Sequence, residues 1–409
     1  MGAPFDADAG FDAVLTGRLV EPVFQPVIAL HDRRPVGFEA LARGPQGRFH
    51  DAPALFAAAA RAGRSAELDW LCADAAARHY RKAALPELAL FVNLNPDTLA
   101  TEPPVGLRDL YIELTRHHPV VLEITEQAVM REPGRLLKAV VDARSRSARI
   151  ALDDVGADPA SLAAMPLINP DIIKLDRSIV QSRSRSWAVS QVVNAVLDEA
   201  QRRGAQILAE GIERREDLDA ARAMGATLGQ GWLFGRPGPL PERVEPSAEP
   251  LARVQPREVA CATPFEVLAP DAQVHPTTDE MYATMAGNIE NQAAQTANPA
   301  ILAVNIGDGE LDDAARIGYN QLAGRGINVF VLGRHVTALP GGRVRGIPLA
   351  DTDPLLRERS VLFVGSRYGS GTFARRHGSN PRDAYRAGVC YDAEKVIEAM
   401  LTLVNRLPS

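Results

Sequence analysis

Eight short apolar runs, spaced along roughly the first 240 residues of this chain and mostly followed by an alanine-rich helical stretch, constrain its fold more than any other feature. They are PVFQPVIAL, RPVGFEALAR, LALFVNLN, PVVLEITE, ARIALDDVG, DIIKLD, AQILAEGIE and the weaker ATLGQGWLFG. Stretches such as SLAAMPLI and SWAVSQVVNAVLDEAQRRG read as helices between them. Buried strands alternating with helices imply a parallel sheet, and about eight repeats over this length favour closure into a barrel. The first two runs are joined only by His31-Asp32-Arg33-Arg34, short enough for a hairpin. One antiparallel strand is therefore expected in an otherwise TIM-like (β/α)8 barrel.

Polar residues fall at a regular place in this pattern. Glu39, Asn93, Glu123, Asp153, Lys174 and Glu210 each lie near the C-terminal end of a run. In a β/α barrel those ends meet on one rim, where the active site is built. Taken singly, an acidic residue at a strand end is a helix N-cap or a solvated loop residue, Asp153-Asp154 reads as a cap, and Lys174 reads as a surface charge. Six such residues at one end of successive runs point instead to a shared site. Four of the six are carboxylates, Asn93 adds a carbonyl, and Asp154 adds a fifth carboxylate. So much negative charge in one place requires a cation. Oxygen ligands without histidine or cysteine suit Mg²⁺ or Mn²⁺. Two ions about 3.5–4 Å apart sharing an aspartate would suit phosphodiester hydrolysis.

Composition narrows the alternatives. With 409 residues, the chain holds about two to three domains at roughly 100–200 residues each. A net charge of −6 and a pI near 5.8 argue against a nucleic-acid polymer as partner. Cys72, Cys261 and Cys390 lie far apart and form no metal-binding spacing. An acidic N-terminal stretch, and the lack of any apolar run of about 18 residues, make no membrane and a cytoplasmic location the expectation. After Gly235-Arg236-Pro237 the proline-rich, charged stretch GPLPERVEPSAEPLARVQPRE reads as a linker. The expected division is a barrel over 10–241, a linker over 242–258 and a second domain over 259–409.

Glu39-Ala40-Leu41 within GFEALAR resembles the signature of the EAL-domain cyclic di-GMP phosphodiesterases. The resemblance spans roughly residues 10–241 and includes FQP at 24–26, VNLNP at 92–96, LEITE at 122–126, ALDDVG at 151–156, IKLDRS at 173–178, AEGIE at 209–213 and QGWLFGRP at 230–237. It implies a hydrolase for signal transduction that cleaves cyclic di-GMP to linear pGpG with Mg²⁺ or Mn²⁺. By motif position, Glu39, Asn93, Glu123 and Asp153 resemble ligands of one ion, and Asp153 with Asp154 those of a second. Glu210 resembles the general base, its pKa held low by metals and lysine, and Lys174 the residue that orients the attacking water. Arg43, Gln25, Asp176, Glu213 and Gln230 resemble substrate-binding positions. Glu126 resembles the anchor of the loop after Asp154. The resemblance also implies a homodimer.

That loop departs from the family pattern. Ala157-Asp158-Pro159 stands where the family carries a hydroxyl residue, a glycine and a further loop residue. The departure keeps open a second reading, a receptor that binds cyclic di-GMP without cutting it and signals to a partner protein.

From about residue 259, ILAVNIG, INVFVLG, SVLFVGS and AGVCYD read as strands, and DEMYATMAGNIENQ, DDAARIGYNQLAGRG and AEKVIEAMLTLVNRL as helices. The expected fold is an α/β sandwich around a mostly parallel sheet. RVRGIPLADTDPLLRERSVLFVG with AGVCYDAEKVIEAM resembles the DICT sensory domain, which implies a regulatory module for an unidentified ligand or partner. Gly307-Asp308-Gly309 and Gly369-Ser370-Gly371 read as plain loops.

Overall fold

The computed structural model describes residues 10–83, 85–99, 101–125, 133–157, 162–163, 165–182, 186–257, 259–296, 299–337, 344–365, 368–377 and 384–406. The chain divides into two compact units. Residues 1–128, 138–157 and 170–254 form one, and residues 129–137, 158–169 and 255–409 form the other.

The first unit is a closed eight-stranded barrel. Its strands are β1 (Glu21–Ala29), β2 (Pro35–Arg43), β3 (Ala89–Asn93), β4 (Val120–Thr125), β5 (Arg149–Val155), β6 (Ile172–Leu175), β7 (Gln206–Ala209) and β8 (Leu228–Gly229). Strand β1 pairs antiparallel with both β2 and β8, and the remaining pairs are parallel. The expected hairpin is therefore present, because four residues suffice to join antiparallel strands whereas a parallel pair needs a crossover. Val27, Ala29, Val36, Ala89, Phe91, Val121, Ala151, Ile172, Leu208 and Leu228 fill the lower barrel.

The helices close in sequence-legible ways. In the helix Trp187–Arg203, the Ser186 side chain accepts from the Val189 amide, and Gly204 ends the helix in left-handed conformation at φ 76°. Of SLAAMPLI, Met165–Ile168 is helical, while residues 161 and 164 lie outside the described set.

The stretch after the barrel does not behave as a free linker up to Val254. It crosses the N-terminal ends of the strands as an extended strap. Ser247 N donates to Pro35 O (2.9 Å), Ala252 N to Gln206 Oε1 (2.7 Å) and Val254 N to Asp171 Oδ1 (2.7 Å). Arg149 Nε donates to Ala252 O at 3.1 Å. Leu251 joins the core of the lower barrel. Proline and charge suggested a solvated spacer. What they leave unpaired in the backbone is satisfied here by side chains and the Pro35 carbonyl at the strand starts.

The second unit carries seven strands, β9 (His275–Thr277), β10 (Ala300–Asn305), β11 (Asn328–Gly333), β12 (Val344–Pro348), β13 (Glu358–Gly365), β14 (Gly369–Arg376) and β15 (Tyr385–Cys390), in the order β12-β11-β10-β13-β14-β15-β9. Only β10-β11 and β11-β12 are parallel. The other four pairs are antiparallel, which corrects the expected mostly parallel sheet. For β13 and β14 the cause is their short connection, which permits only an antiparallel pair.

Gly369-Ser370-Gly371 is also not a loop. It opens β14. A Cβ on Gly369 would meet Ala393 Cα at 2.9 Å, and one on Gly371 would meet Leu362 Cδ2 at 2.6 Å. Gly369 thus lets the helix Ala393–Val404 settle onto the sheet, and Gly371 makes room for Leu362 of the neighbouring β13. On the opposite face, Val361 and Phe363 pack with Ile289, Tyr319 and Leu322 of the helices Asp279–Gln295 and Asp313–Gly324. All three cysteines are free thiols. Among the described residues, no helix is long and apolar enough to cross a membrane.

Candidate active site

Each strand delivers one or two side chains to the C-terminal rim. Glu39 lies on β2 opposite Gln25 of β1, and Asn93, last in β3, pairs in register with Glu123 of β4. Asp153 and Asp154 come from β5, Lys174 from β6, Glu210 follows β7, and Gln230 follows β8. Because the strands close in sequence order, residues 205 positions apart become neighbours, as Gln25 and Gln230 are.

Asp153 and Asp154 raise a geometric difficulty. Consecutive strand residues point to opposite faces, yet ligand oxygens of Asp153, Asp154 and Glu210 lie within 4.8 Å of one another. The backbone resolves it. The β5-β6 register shifts between Leu152 and Val155, and Asp154 adopts a positive φ of 58°. Such a bulge re-aims a side chain, and aspartate tolerates the left-handed region better than most residues. The Asp154 amide donates to Asp153 Oδ1 at 2.9 Å, which steadies the turn.

Lys174 is 1% exposed and sits at the centre of the cluster, far from the surface-charge alternative. Its Nζ lies 2.7 Å from Glu123 Oε1, 2.8 Å from Glu210 Oε1, 2.9 Å from Asp153 Oδ1 and 3.8 Å from Glu39 Oε2. Burial works against its charge, but these carboxylates overcome it and hold its pKa well above the ordinary value. Glu39 also accepts from Asn93 Nδ2 (2.9 Å) and Gln230 Nε2 (2.7 Å). Although burial opposes it, Lys174 and these donors keep the Glu39 carboxyl below its usual range. Burial dominates elsewhere. With the neighbouring carboxylates, it raises Glu123 strongly and Asp154 as well. At Glu210 burial, aided by Asp153 and Glu39, outweighs Lys174 and pushes the pKa up to about 8, whereas the low value expected above presumes metals beside it as well as the lysine. One ammonium does not offset so many acids.

This imbalance tests the site for a cation. Five carboxylates face one lysine, and the fully buried Glu123 has the Lys174 ammonium, 2.7 Å from its Oε1, as its one cationic partner among the described residues. Buried charge in that state is costly unless further positive charge is supplied. An all-oxygen donor set matches a hard divalent ion. The residues present fit one.

A cavity of about 330 Å³ opens above the cluster, and Gln25, Glu213 and Gln230 line it with the acids. Two expected substrate residues are placed otherwise. Arg43 shares by alternation the β2 face of Glu39, but its guanidinium donates to Ala42 O at 2.8 Å. The Asp176 carboxylate caps the turn Arg177–Val180, accepting from Ser178 N at 2.8 Å. Glu126 and residues 158–161 of the divergent loop lie outside the described residues. Sequence reasoning missed Arg177 and Trp232, which also line the cavity. Each sits directly beside a recognised motif residue, Asp176 or Gln230-Gly231, and that adjacency was the available signal.

Comparison with known proteins gives a consistent picture. Residues 11–237, more than half of the chain, match the family described as EAL domain. An uncharacterized protein y4lL of Sinorhizobium fredii is 32% identical over 237 residues, covering 56% of this chain and 28% of that protein. The cyclic di-GMP phosphodiesterase PA2567 of Pseudomonas aeruginosa is 30% identical over 233 residues, covering 54% of this chain and 39% of that protein. The chain thus matches well under half the length of these relatives. Among solved structures, the manganese/cy-diGMP complex of Klebsiella pneumoniae BlrP1 is 28% identical, with a TM-score of 0.49 over 54% of this chain and 57% of that one.

Proposed function

This chain belongs to the EAL domain family, and from that premise we propose that it hydrolyses cyclic di-GMP to linear pGpG in a divalent-metal-dependent reaction. The observation that carries the reading is the gathering of Glu39, Glu123, Asp153 and Glu210 around the buried Lys174 at the mouth of the barrel. The naming of a 30%-identical relative as a cyclic di-GMP phosphodiesterase supports it.

Glu39, Asn93, Glu123 and Asp153 would hold one Mg²⁺ or Mn²⁺, and Asp153 with Asp154 a second. When bound, such ions neutralise phosphodiester charge and acidify water. The protein's own groups do the rest. Glu210, whose carboxylate form bound cations would favour over the protonated form that burial favours, takes a proton from the attacking water as its oxygen bonds to phosphorus. The P–O3′ bond breaks, and the departing oxygen takes up a proton from solvent. Lys174 holds Asp153 and Glu210 in place and orients the water. Gln25, Arg43, Asp176, Glu213 and Gln230 hold the substrate, which for Arg43 and Asp176 requires release from their present partners.

The test is direct. Full-length protein is incubated with cyclic di-GMP and Mg²⁺ or Mn²⁺, and pGpG is followed by chromatography. Product that vanishes in Glu39→Ala and Glu210→Ala is the expected result. Binding without product from the wild-type protein would establish the receptor reading, which the altered Ala157-Asp158-Pro159 sequence favours.

The C-terminal unit is read as a DICT-like sensory module that regulates the barrel. Deleting residues 259–409 should change the hydrolysis rate or its response to conditions. A homodimer in the cytoplasm completes the reading, and light scattering coupled to gel filtration tests its mass.

A further inference from the structure

Filling the foot of the barrel needs only Leu251, which joins its core. The rest of the strap Ser247–Val254 is bonded to strand starts one after another. Ser247 N donates to Pro35 O, in the first residue of β2, and Ala252 N to the side chain of Gln206, the first residue of β7. Arg149, the first residue of β5, donates through Nε to Ala252 O at 3.1 Å and through Nη2 to Leu251 O at 3.4 Å. Val254 N donates to Asp171, the residue before β6. At their far ends these four strands bring Glu39, Asp153 with Asp154, Lys174 and Glu210 to the rim. Of the strands that present a carboxylate to Lys174, only β4, with Glu123, is not bonded to the strap among the described residues. A plug does not require that pattern.

Asp171 is the joint of the arrangement. It is 2% exposed, and each carboxylate oxygen has a backbone donor: Ile150 N at 2.8 Å from Oδ2 and Val254 N at 2.7 Å from Oδ1. Arg144 supplies positive charge 3.6 Å from Oδ2. The Asp171 backbone continues the ladder on both sides, donating to Ile150 O (2.8 Å) and accepting from Gln206 N (3.0 Å). Strands β5, β6 and β7 are thus aligned at one residue. Little else aligns β5 with β6. They share two pairs, Ala151 with Ile172 and Leu152 with Ile173, before the bulge at Asp153-Asp154 shifts the register, and one pair, Val155 with Leu175, above it. Lys174 stands three residues beyond Asp171, roughly 10 Å along a strand, so a shift at the foot is carried to the ammonium.

We propose that Asp171, seated on the strap through Val254, is a positioning residue for the reaction: with Arg149 and Gln206 it sets the heights of Asp153, Lys174 and Glu210 against one another. The proposal rests on the reading of the rim as a metal-dependent phosphodiesterase site. Asp171 touches neither substrate nor ion and acts only through the strands. Its effect is nonetheless large by the standards of such sites. A misplacement of about 1 Å caused far from the chemistry costs up to about 100-fold in rate. Loss of a group that orients metal ligands costs about 10–100-fold in metal affinity or activity.

The experiment uses the full-length protein and the variants Asp171→Asn, Gln206→Leu and Gln206→Glu. Asparagine keeps the shape of aspartate but turns its NH2 group toward the Ile150 or the Val254 amide, both of which are donors. Leucine removes the acceptor for Ala252 N, and glutamate keeps one. Turnover of cyclic di-GMP with Mn²⁺ is measured beside the Mn²⁺ Kd by calorimetry, and urea unfolding gives the folded fraction. In Asp171→Asn and Gln206→Leu, kcat falls about tenfold, KM stays within about threefold, and the Mn²⁺ Kd rises about tenfold. Gln206→Glu returns each value to near wild type. Simple loss of folded protein lowers kcat and the number of sites per chain but leaves Kd where it was, so it does not imitate this result. Should Asp171→Asn fail to fold, the two Gln206 variants carry the test. Wild-type kcat and Kd in Gln206→Leu, or no rescue by Gln206→Glu, overturns the proposal and leaves the phosphodiesterase reading intact. Wild-type protein that binds Mn²⁺ but forms no product overturns the reading of hydrolysis, while a Kd raised in Gln206→Leu and restored in Gln206→Glu still supports the positioning role. No Mn²⁺ binding by wild type overturns both.

Discussion

At the residue scale, the rim is held by a strained backbone conformation and a buried charge, each of which costs energy without its surroundings. Asp154 occupies the left-handed region so that two successive carboxylates reach one point. Asparagine tolerates that region nearly as well as aspartate, whereas alanine pays about 1–2 kcal/mol there. In metal-free urea unfolding, Asp154→Asn should match or exceed wild type, because it also removes a like charge, and Asp154→Ala should fall about 1 kcal/mol below Asp154→Asn. Equal stability of the two variants would argue that the bulge is not strained. Lys174 is the other keystone. Replacing it by methionine leaves its carboxylate partners uncompensated in the interior, a change worth about 3–5 kcal/mol for a broken buried pair. Added Mn²⁺ should return part of that loss in denaturation curves. No recovery would mean that the acids do not share a cation. The acids, lysine and amide of the rim were legible because they recur at one phase of the strand pattern. The left-handed Asp154 was not, since only the closure of β5 against β6 demands it.

At the element scale, the strap Ser247–Val254 shows how composition misleads. Its prolines and charges indicated a solvated linker, but Leu251 is 6% exposed in the lower barrel core. Leu251→Ala should destabilise the barrel by about 2–5 kcal/mol, as buried leucine truncations do, and the loss is measurable by thermal or urea unfolding. A change within error would place Leu251 outside the core. Similar logic explains the sheet of the second unit. Gly369-Ser370-Gly371 carries turn-forming residues, yet it is a strand because it pairs with Leu362–Val364 of β13, and its first glycine leaves room for the helix Ala393–Val404. Strand direction was equally hidden: ILAVNIG and SVLFVGS are both buried on two faces, and an apolar run carries no mark of its orientation.

At the scale of the molecule, two units with separate cores carry different duties in the proposed function. A cation that binds only the folded rim stabilises it by mass action, about 2.7 kcal/mol at one hundred times its Kd. Hydrogen exchange with and without Mn²⁺ should therefore show added protection at the ends of β2 to β7, and treatment with a chelator should remove it. Protection confined to residues 255–409 would move the metal site elsewhere.

The sequence by itself determined the alternation of strands and helices, the hairpin at the barrel's start, the family, and which acidic residues stand at strand ends. These follow from local periodicity and motif, information that each segment carries alone. The tertiary structure decided what those residues face: that Lys174 is enclosed by four carboxylates, that Asp153 and Asp154 turn the same way, and that Trp232 and Arg177 border the same cavity. Distances between groups far apart in the chain arise only when the barrel closes, and burial, charge and hydrogen bonding at the rim are set by those distances.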